Sequence, residues 1–497
     1  MSPLDPFRRK AKKLRRAFYA GEDDALARVQ AILPGAQDLR HTQALHIVAR
    51  EAGAASWPKL KLTHEIGKMT RADRAERLKM ALYFGQHWVV DALMSADPTL
   101  EEDNLGLQIA LYREDRVADI LHKNPESATQ IIGIRSPILH LAFSRHHQAD
   151  GVGSEASVAI AEMLIAHGAD ANDTYPAEPG SENMLSALYG ALGHANNMPL
   201  ARWLLEHGAN PDDGESLYHS TELGHAEGLR LLLDHGANPA GTNALKRAMD
   251  FDSLEMVQML LDAGSDPNEG HDGWTTLHHA ALRQVSAPVC QALLDAGADA
   301  SKIGNGINAF AAAKVYGHQP LIDLLDPLPL SPEEELLARA AKGDVPDGVY
   351  IDPGNVPPIY LDLIFEFGGS LQKLDHIKAL VKVGLPWDRG GGMGVTPVQI
   401  AGWQGLPEMM AYFLSLGPDL THINGYGGTL LSTIVHGSEN NPERAGRDFI
   451  GCARLALEHG VALPRRAPEF AGEPEMAVFL ADWAEAHPGQ VVEGGVV

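Results

Sequence analysis

The stretch Gly273-Trp274-Thr275-Thr276-Leu277-His278-His279-Ala280-Ala281 opens an apolar helix, and sixteen residues after Ala281 a second apolar helix closes on Gly297-Ala298-Asp299. The two together read as one unit of a repeat. An apolar helix ending on Leu-Leu-x-x-Gly-Ala-Asp/Asn, or a close variant, recurs at Gly168, Gly208, Gly236, Gly264 and Gly297, and in looser form at Gly384, Gly417 and Gly460. Units of this kind bury a face only against their neighbours, so the pattern predicts stacked helix pairs with one surface left to bind something.

Working outward, the clear series begins at Pro137-Ile138-Leu139-His140-Leu141-Ala142-Phe143, and its endings are spaced by 40, 28, 28 and 33 residues. The unequal spacing has a structural meaning. Between Asn238 and Leu245 there is no room for an extended excursion, whereas Asp266 to Leu277 has room and carries Gly270 and Asp272-Gly273 at a turn. The longest interval holds Pro176, Pro179 and Gly180, read as an inserted loop. Upstream, Arg77–Phe84 with Trp88–Met94 and Leu105–Leu111 with Val117–Leu121 form degenerate pairs. Downstream, Ser331-Pro332-Glu333-Glu334 is a helix start, with a capping hydroxyl, a first-turn proline and carboxylates at the positive end of the helix dipole. These signals divide the chain into a helical segment 1–67, a first array 71–330 (degenerate over 71–136, clear over 137–325), a second, divergent array 331–488 and a loose tail 489–497.

A net charge of −25 favours a partner with a basic patch and disfavours indiscriminate binding to nucleic acid or anionic membrane. Residues 1–70 depart from this balance, with thirteen Lys/Arg against seven Asp/Glu. Phe7, Ala11, Leu14 and Phe18 fall on one helical face and basic residues cover the others, which gives a basic amphipathic helix. Three roles fit it: a cap packed on the first repeat, a nucleic-acid contact, or a contact with a membrane or acidic protein. Cys290 and Cys452 sit in apolar helical runs as small buried hydrophobes and imply a reducing compartment. No apolar run reaches the 18 or so residues of a membrane span, and no secretory signal opens the chain, so a cytoplasmic location is expected.

With these motifs in hand, the chain resembles ankyrin repeat proteins, whose unit is a turn and two antiparallel helices of about 33 residues opened by Thr-Pro-Leu-His-x-Ala. The motif stands here at Thr275–Ala281 and Thr396-Pro397-Val398-Gln399-Ile400-Ala401, and more weakly at Pro137–Ala142 and Asn308–Ala313. The segment around Ala49–Leu60 looks like the helical leader of some bacterial ankyrin proteins. The resemblance implies an all-α solenoid of stacked helix pairs, with the β-hairpin fingers short or missing near Asn210 and Asn238. It implies further that the concave face and finger tips bind a protein or peptide, with no cofactor, the chain acting as an adaptor, inhibitor or antitoxin-like partner.

Registering the motif across four units puts His219, Arg247, His279 and Ala312 in one row, and Leu223, Phe251, Arg283 and Tyr316 in another. Phe251, Arg283 and Tyr316 lead the binding candidates because aromatics and Arg dominate interface energetics, with Trp274, Trp403, His279 and Arg247 behind them. Structural roles compete for some of these: Trp274 as a finger residue packed on its neighbour, His279 as a stacking ring.

His167, His207, His235 and His459 each precede a helix-ending Gly, where they suit the dipole, and His140 and His278 hold the motif position whose ring bonds to the turn in the family. There is no His-Glu-x-x-His, Cys-x-x-Cys or Gly-x-Ser-x-Gly, and Gly390–Gly394 lacks the Lys-Ser/Thr of a phosphate loop and reads as a finger. The expectation is recognition without chemistry, no metal and no catalytic residue, against two alternatives: a nucleic-acid- or membrane-linked regulator working through the basic helix, and an enzyme with a site in the Pro/Gly-rich break at 345–358.

Overall fold

The protein is described by a computed structural model covering residues 4–37, 39, 41–270 and 273–493. It divides into two compact units, Pro58–Asp299 and Met1–Trp57 with Ala300–Val497. The division falls at Asp299, about thirty residues before the break expected at Leu325–Pro332. The reason is local: helix Ala309–Tyr316 packs along helix Pro332–Ala341, so the proline-rich connection between them lies within one stack. The start at Ser331 is as read, with Ser331 Oγ accepting from the Glu334 amide at 3.1 Å and Glu334 Oε2 accepting from the Ser331 amide at 2.8 Å.

In the unit Pro58–Asp299 the helix pairs stack in two layers. First helices Ser216–Ser220, Ala244–Asp250 and Thr276–Arg283 follow one another, while second helices such as Glu155–Ala166, Met198–Glu206, Leu254–Asp262 and Ala287–Asp295 form the other layer. Helices His87–Ala96 and Glu114–Lys123 of the degenerate pairs end on Asp97 and Asn124, whereas from Glu155 onward each second helix ends in the same way. Its glycine is left-handed, with φ between 86° and 98° at Gly168, Gly208, Gly236, Gly264 and Gly297, a conformation that costs L side chains dearly. The next amide then reaches back five residues, as Ala169 does to Leu164 (3.0 Å) and Ala298 to Leu293 (2.9 Å), closing a Schellman turn. An Asn or Asp beyond the turn clasps the following unit. Asn172 donates to the Gly208 carbonyl and accepts from the Asn210 amide, Asn268 does the same to Gly297 and Asp299, and Asp212 accepts from the Asn238 amide.

The fingers differ from expectation. The presumed loop at Pro176–Gly180 is a β-hairpin, Thr174–Pro176 antiparallel to Met184–Ser186, because the extra residues let the strands pair and bury Tyr175. The stretch before Leu277, expected to hold the fullest finger, shows no strand among its described residues; Asp272 lies outside them. There the Thr276 hydroxyl donates to the Pro267 carbonyl and Lys246 Nζ donates to the Trp274 carbonyl at 2.7 Å, and these bonds take the place of a ladder. As read, no strand forms near Asn210 or Asn238.

In the second unit, helices Asp5–Tyr19, Asp23–Ile32 and His41–Glu51 bury Ala11, Leu14, Phe18, Val29 and Ile47 against one another. The segment 1–67 packs at two places: helix His41–Glu51 lies on helix Pro474–Ala486 of the last pair, with Thr42 Oγ1 donating to Glu475 Oε1 at 3.1 Å, while Leu62 and Ile66 of helix Trp57–Ile66 are buried with Leu78, Ala81 and Leu82 of the first pair, the contact expected of a cap. Between these ends run the pairs Leu374–Lys382, Pro397–Trp403 with Pro407–Ser415, and Leu430–Asn440 with Phe449–Glu458. The tail is held through residue 493. Val491–Val492 pairs in parallel with Leu463–Pro464, and Gln490 donates to the Leu457 carbonyl at 2.6 Å.

Helices Pro397–Trp403 and Leu430–Asn440 approach unusually closely at Gly437, where a Cβ would stand 2.6 Å from the Trp403 carbonyl oxygen and 3.0 Å from its Cα. Backbone cannot yield there as a flexible side chain would. Gly437→Ala is therefore expected to destabilise the second unit by about 1–3 kcal/mol, seen as a lowered urea midpoint.

Candidate functional site

The matched rows of the first-helix face meet in the unit Pro58–Asp299 as a connected network. His219 bridges Glu215 (3.1 Å) and Glu222 (2.7 Å); Glu222 takes the Arg247 guanidinium at 2.6 Å; Arg247 also holds Asp250 at 3.0 Å. Asp250 in turn accepts from His279 at 2.9 Å and Arg283 at 2.8 Å. Three successive first helices are thus joined by six charged or polar links, each within hydrogen-bond reach.

The network sets the charge states of its acids. Burial raises the Glu222 pKa, but hydrogen bonds from His219 and Arg247 outweigh it and hold the carboxyl below the usual range. At Asp250 burial again opposes ionisation, and His279, Arg247 and the Arg283 charge overcome it. For Arg247 desolvation is outweighed by Asp250 and Glu222, which keep it more firmly protonated. Beside this row the Phe251 ring is 50% exposed, with the Arg247 guanidinium 4.9 Å from its centroid.

Two candidates are corrected. Tyr316, 1% exposed, closes helix Ala309–Tyr316 with its ring turned inward against Phe367 at 5.6 Å, so it is a core residue. Trp274, 7% exposed, packs its ring 5.3 Å from that of His278. Register assigns Tyr316 to a row but the neighbour that covers it decides that its side chain turns in, and Trp274, ahead of helix Thr276–Arg283, takes the structural role of a packed finger residue. His279 and Arg247 lie at the surface yet are already paired, and Arg283 shares Asp250 with them.

Trp403 lies in the other unit, at the edge of a groove of about 700 Å³ that sequence reading did not anticipate. Two fingers form one wall: the Gly425 amide donates to the Met393 carbonyl at 2.6 Å, and His422 Nε2 is 2.7 Å from the Gly394 carbonyl. The glycine run at 390–394 is therefore an ordered rim. The signal in sequence was the spacing of Met393 and Tyr426 at the two finger tips, invisible until the fingers are paired.

Other titratable groups have structural tasks. His167, His207, His235 and His459 each place Nδ1 within 2.9 Å of the carbonyl four residues back. His140 Nε2 is 3.0 Å from the Ile132 carbonyl and His278 Nδ1 is 2.7 Å from Thr275 Oγ1, the turn contacts expected of the motif. Burial pushes His140, His146 and His194 down to about 4, so they stay neutral. Burial raises the Cys290 and Cys452 thiols to about 12, which makes them inert. Among the described residues no three His, Cys, Asp or Glu side chains converge as metal ligands. In the break at 345–358, Asp352 caps a turn and the Ile351 amide donates to Val383 at 2.7 Å. No helix among the described residues is long and apolar enough to cross a membrane.

Stacked helix pairs with Schellman endings and clasped turns define a helical repeat solenoid. Residues 184–271 and 245–327 match the family model described as ankyrin repeats (3 copies), and the chain thus carries ankyrin repeats, which are protein–protein interaction modules. No curated protein matches the chain. Among solved structures it is similar to the human ASB11 ankyrin repeat domain, at 20% identity and a TM-score of 0.37 over 46% of this chain and 99% of that one. It is also similar to the ankyrin repeat domain of Bcl-3, a member of the IkappaB protein family, at 21% identity and a TM-score of 0.35 over 44% and 96%.

Asp250 holds three partners at once, and its depressed pKa gives the sign of its contribution. The stabilisation is fully present above the unfolded value near 4 and is lost as pH falls through the lower folded value. Asp250→Asn should cost about 1–2 kcal/mol by urea unfolding, unchanged from pH 7 to 5 and shrinking below pH 4.

Proposed function

We propose that the chain is a cytoplasmic recognition protein, an adaptor, inhibitor or antitoxin-like partner, that binds a protein or peptide with a basic patch on the first-helix face of residues 216–283. The observation that carries this is Phe251, a large ring left half open beside an ordered charged row. An exposed aromatic flanked by Arg is the composition of an interface hot spot. The row supports the preference for a basic partner, since Glu215, Glu222 and Asp250 outnumber Arg247 and Arg283. His279, Arg247 and Arg283 act by presenting this charge pattern, and Trp403 contributes to a separate surface.

The variant Phe251→Ala with Arg283→Ala tests the footprint. Partners retained from the native cell extract on the immobilised chain should fall at least about tenfold, the loss of one hot spot, with the helical circular dichroism unchanged. Equal retention would reject this face.

A second reading has its own support. On helix Asp5–Tyr19 the side chains of Arg8, Arg9, Lys10, Lys12, Lys13 and Arg16 are exposed, while Ala11, Leu14 and Phe18 are buried, so the basic face is open. Deleting the helix would destroy that core. Replacing Arg9, Lys12, Lys13 and Arg16 with Gln should leave thermal stability intact, and a steep loss of affinity for anionic vesicles or duplex DNA at low salt would support an electrostatic anchor; unchanged affinity would remove it.

A further inference from the structure

The groove beside Trp403 is a site of a different kind from the charged row. Met393, Tyr426 and Phe470 are each more than half exposed, and with Phe365 and Trp403 they line one concavity. Exposed aromatic and methionine surface gathered into a concave patch marks a docking site, because scattered exposed apolar groups are ordinary and clustered ones are not. Its walls are fixed before any partner arrives. The Trp403 carbonyl accepts from Asn441 Nδ2 at 2.8 Å, the two fingers are hydrogen-bonded to one another, and Asn424 Oδ1 accepts from the Tyr426 and Gly428 amides at 3.0 and 2.9 Å. Preorganisation of this sort lowers the ordering cost of binding.

The lining also says what charge it takes. Among the described residues that line it Glu439 carries the one carboxylate, an oxygen of which accepts from the Gly472 amide, while at the rim Arg466 lies 4.5 Å from the Phe470 ring and is paired with Glu469 at 3.3 Å. The surrounding array 331–488 holds eleven Lys/Arg against twenty-one Asp/Glu, a net of −10. A cation entering the groove meets a carboxylate and the negative faces of aromatic rings, which attract it further. An anion meets neither.

We propose that this groove docks an extended peptide segment of a partner, in which an aromatic or large aliphatic side chain inserts between Tyr426, Phe470 and Trp403 and an adjacent Lys or Arg faces Glu439. A volume of about 700 Å³ admits two or three side chains of such a segment. The Trp403 indole N–H, with no partner among the described residues, is available to a peptide carbonyl. The site is independent of the Phe251 footprint, which lies on the other unit.

Three fluorescein-labelled hexapeptides test it by anisotropy on the full chain: alternating Phe-Lys, alternating Phe-Glu and alternating Gly-Lys. The Phe-Lys peptide should bind at least about tenfold more tightly than the other two, a difference of roughly 1.4 kcal/mol. Tyr426→Ala with Phe470→Ala should abolish that advantage. Glu439→Gln keeps an acceptor for the Gly472 amide and removes only the charge, so it should erase the preference of Lys over Glu while the urea midpoint stays in place. Phe251→Ala should change nothing. Equal binding of the three peptides, or binding insensitive to the groove variants, would overturn the proposal, and loss of binding in Phe251→Ala would move the peptide to the other face.

Discussion

From Glu155 to Asp299 the stack depends on how a second helix ends. A left-handed glycine turns the chain, the following amide reaches back to satisfy a carbonyl that would otherwise be orphaned, and the Asn or Asp just beyond is delivered to the backbone of the next unit. One short motif therefore stops a helix, satisfies its end and fixes the spacing to its neighbour. Where the motif is altered the bonding changes with it. At Gly417 the next residue is Pro418, which has no amide to give, and only the Gly417 amide reaches back, to Leu414 at 3.2 Å.

Packing of consecutive first helices side by side is what makes side-chain rows possible. Because these helices are neighbours, Glu222, Arg247, Asp250 and Arg283 come within bonding distance across three units, although 61 residues separate the first from the last. Opposite charges alternate along the row, and each link is partly shielded by its neighbours. Isolated exposed ion pairs contribute little, but a network in which burial is overcome by several hydrogen bonds at once holds its geometry.

The extent to which this was legible follows from the range of each signal. Helix endings, the cap at Ser331 and the motif histidines are set by residues within eight positions of one another, and the sequence carries their signals. The Asn305-Gly306 pair, with φ of 51° and 86°, was an equally local signal for the hairpin Ile303–Gly304 with Ile307–Asn308, and it passed unread. Tyr316 was misplaced because register along a repeat says which row a residue occupies and is silent on the neighbour that covers it, while Trp274 takes the packed finger role that stood beside its binding role. The packing of helix His41–Glu51 on helix Pro474–Ala486 spans more than 400 residues of sequence and leaves no periodic trace. The groove is hidden for the same reason, since Phe365, Met393, Tyr426 and Phe470 come from four successive segments.

The two surfaces would recognise partners by different physics. In the charged row every carboxylate already has a donor, so a partner must exchange one ion pair for another, and the net gain is small while the penalty for a mismatched charge is large. Such a surface selects. In the groove Met393 and Tyr426 stand open while Trp403 packs beside His436 and Phe470 lies under Arg466, so covering the open groups removes apolar area from water with no carboxylate pair to break first. Such a surface holds. Phe251 brings one open ring to the selecting face, and Glu439 brings one charge to the holding face, so each contains a single element of the other's chemistry. A partner with a basic, partly apolar segment would satisfy either, and its choice between them would turn on how many of its apolar side chains must be buried relative to how many of its charges must be matched.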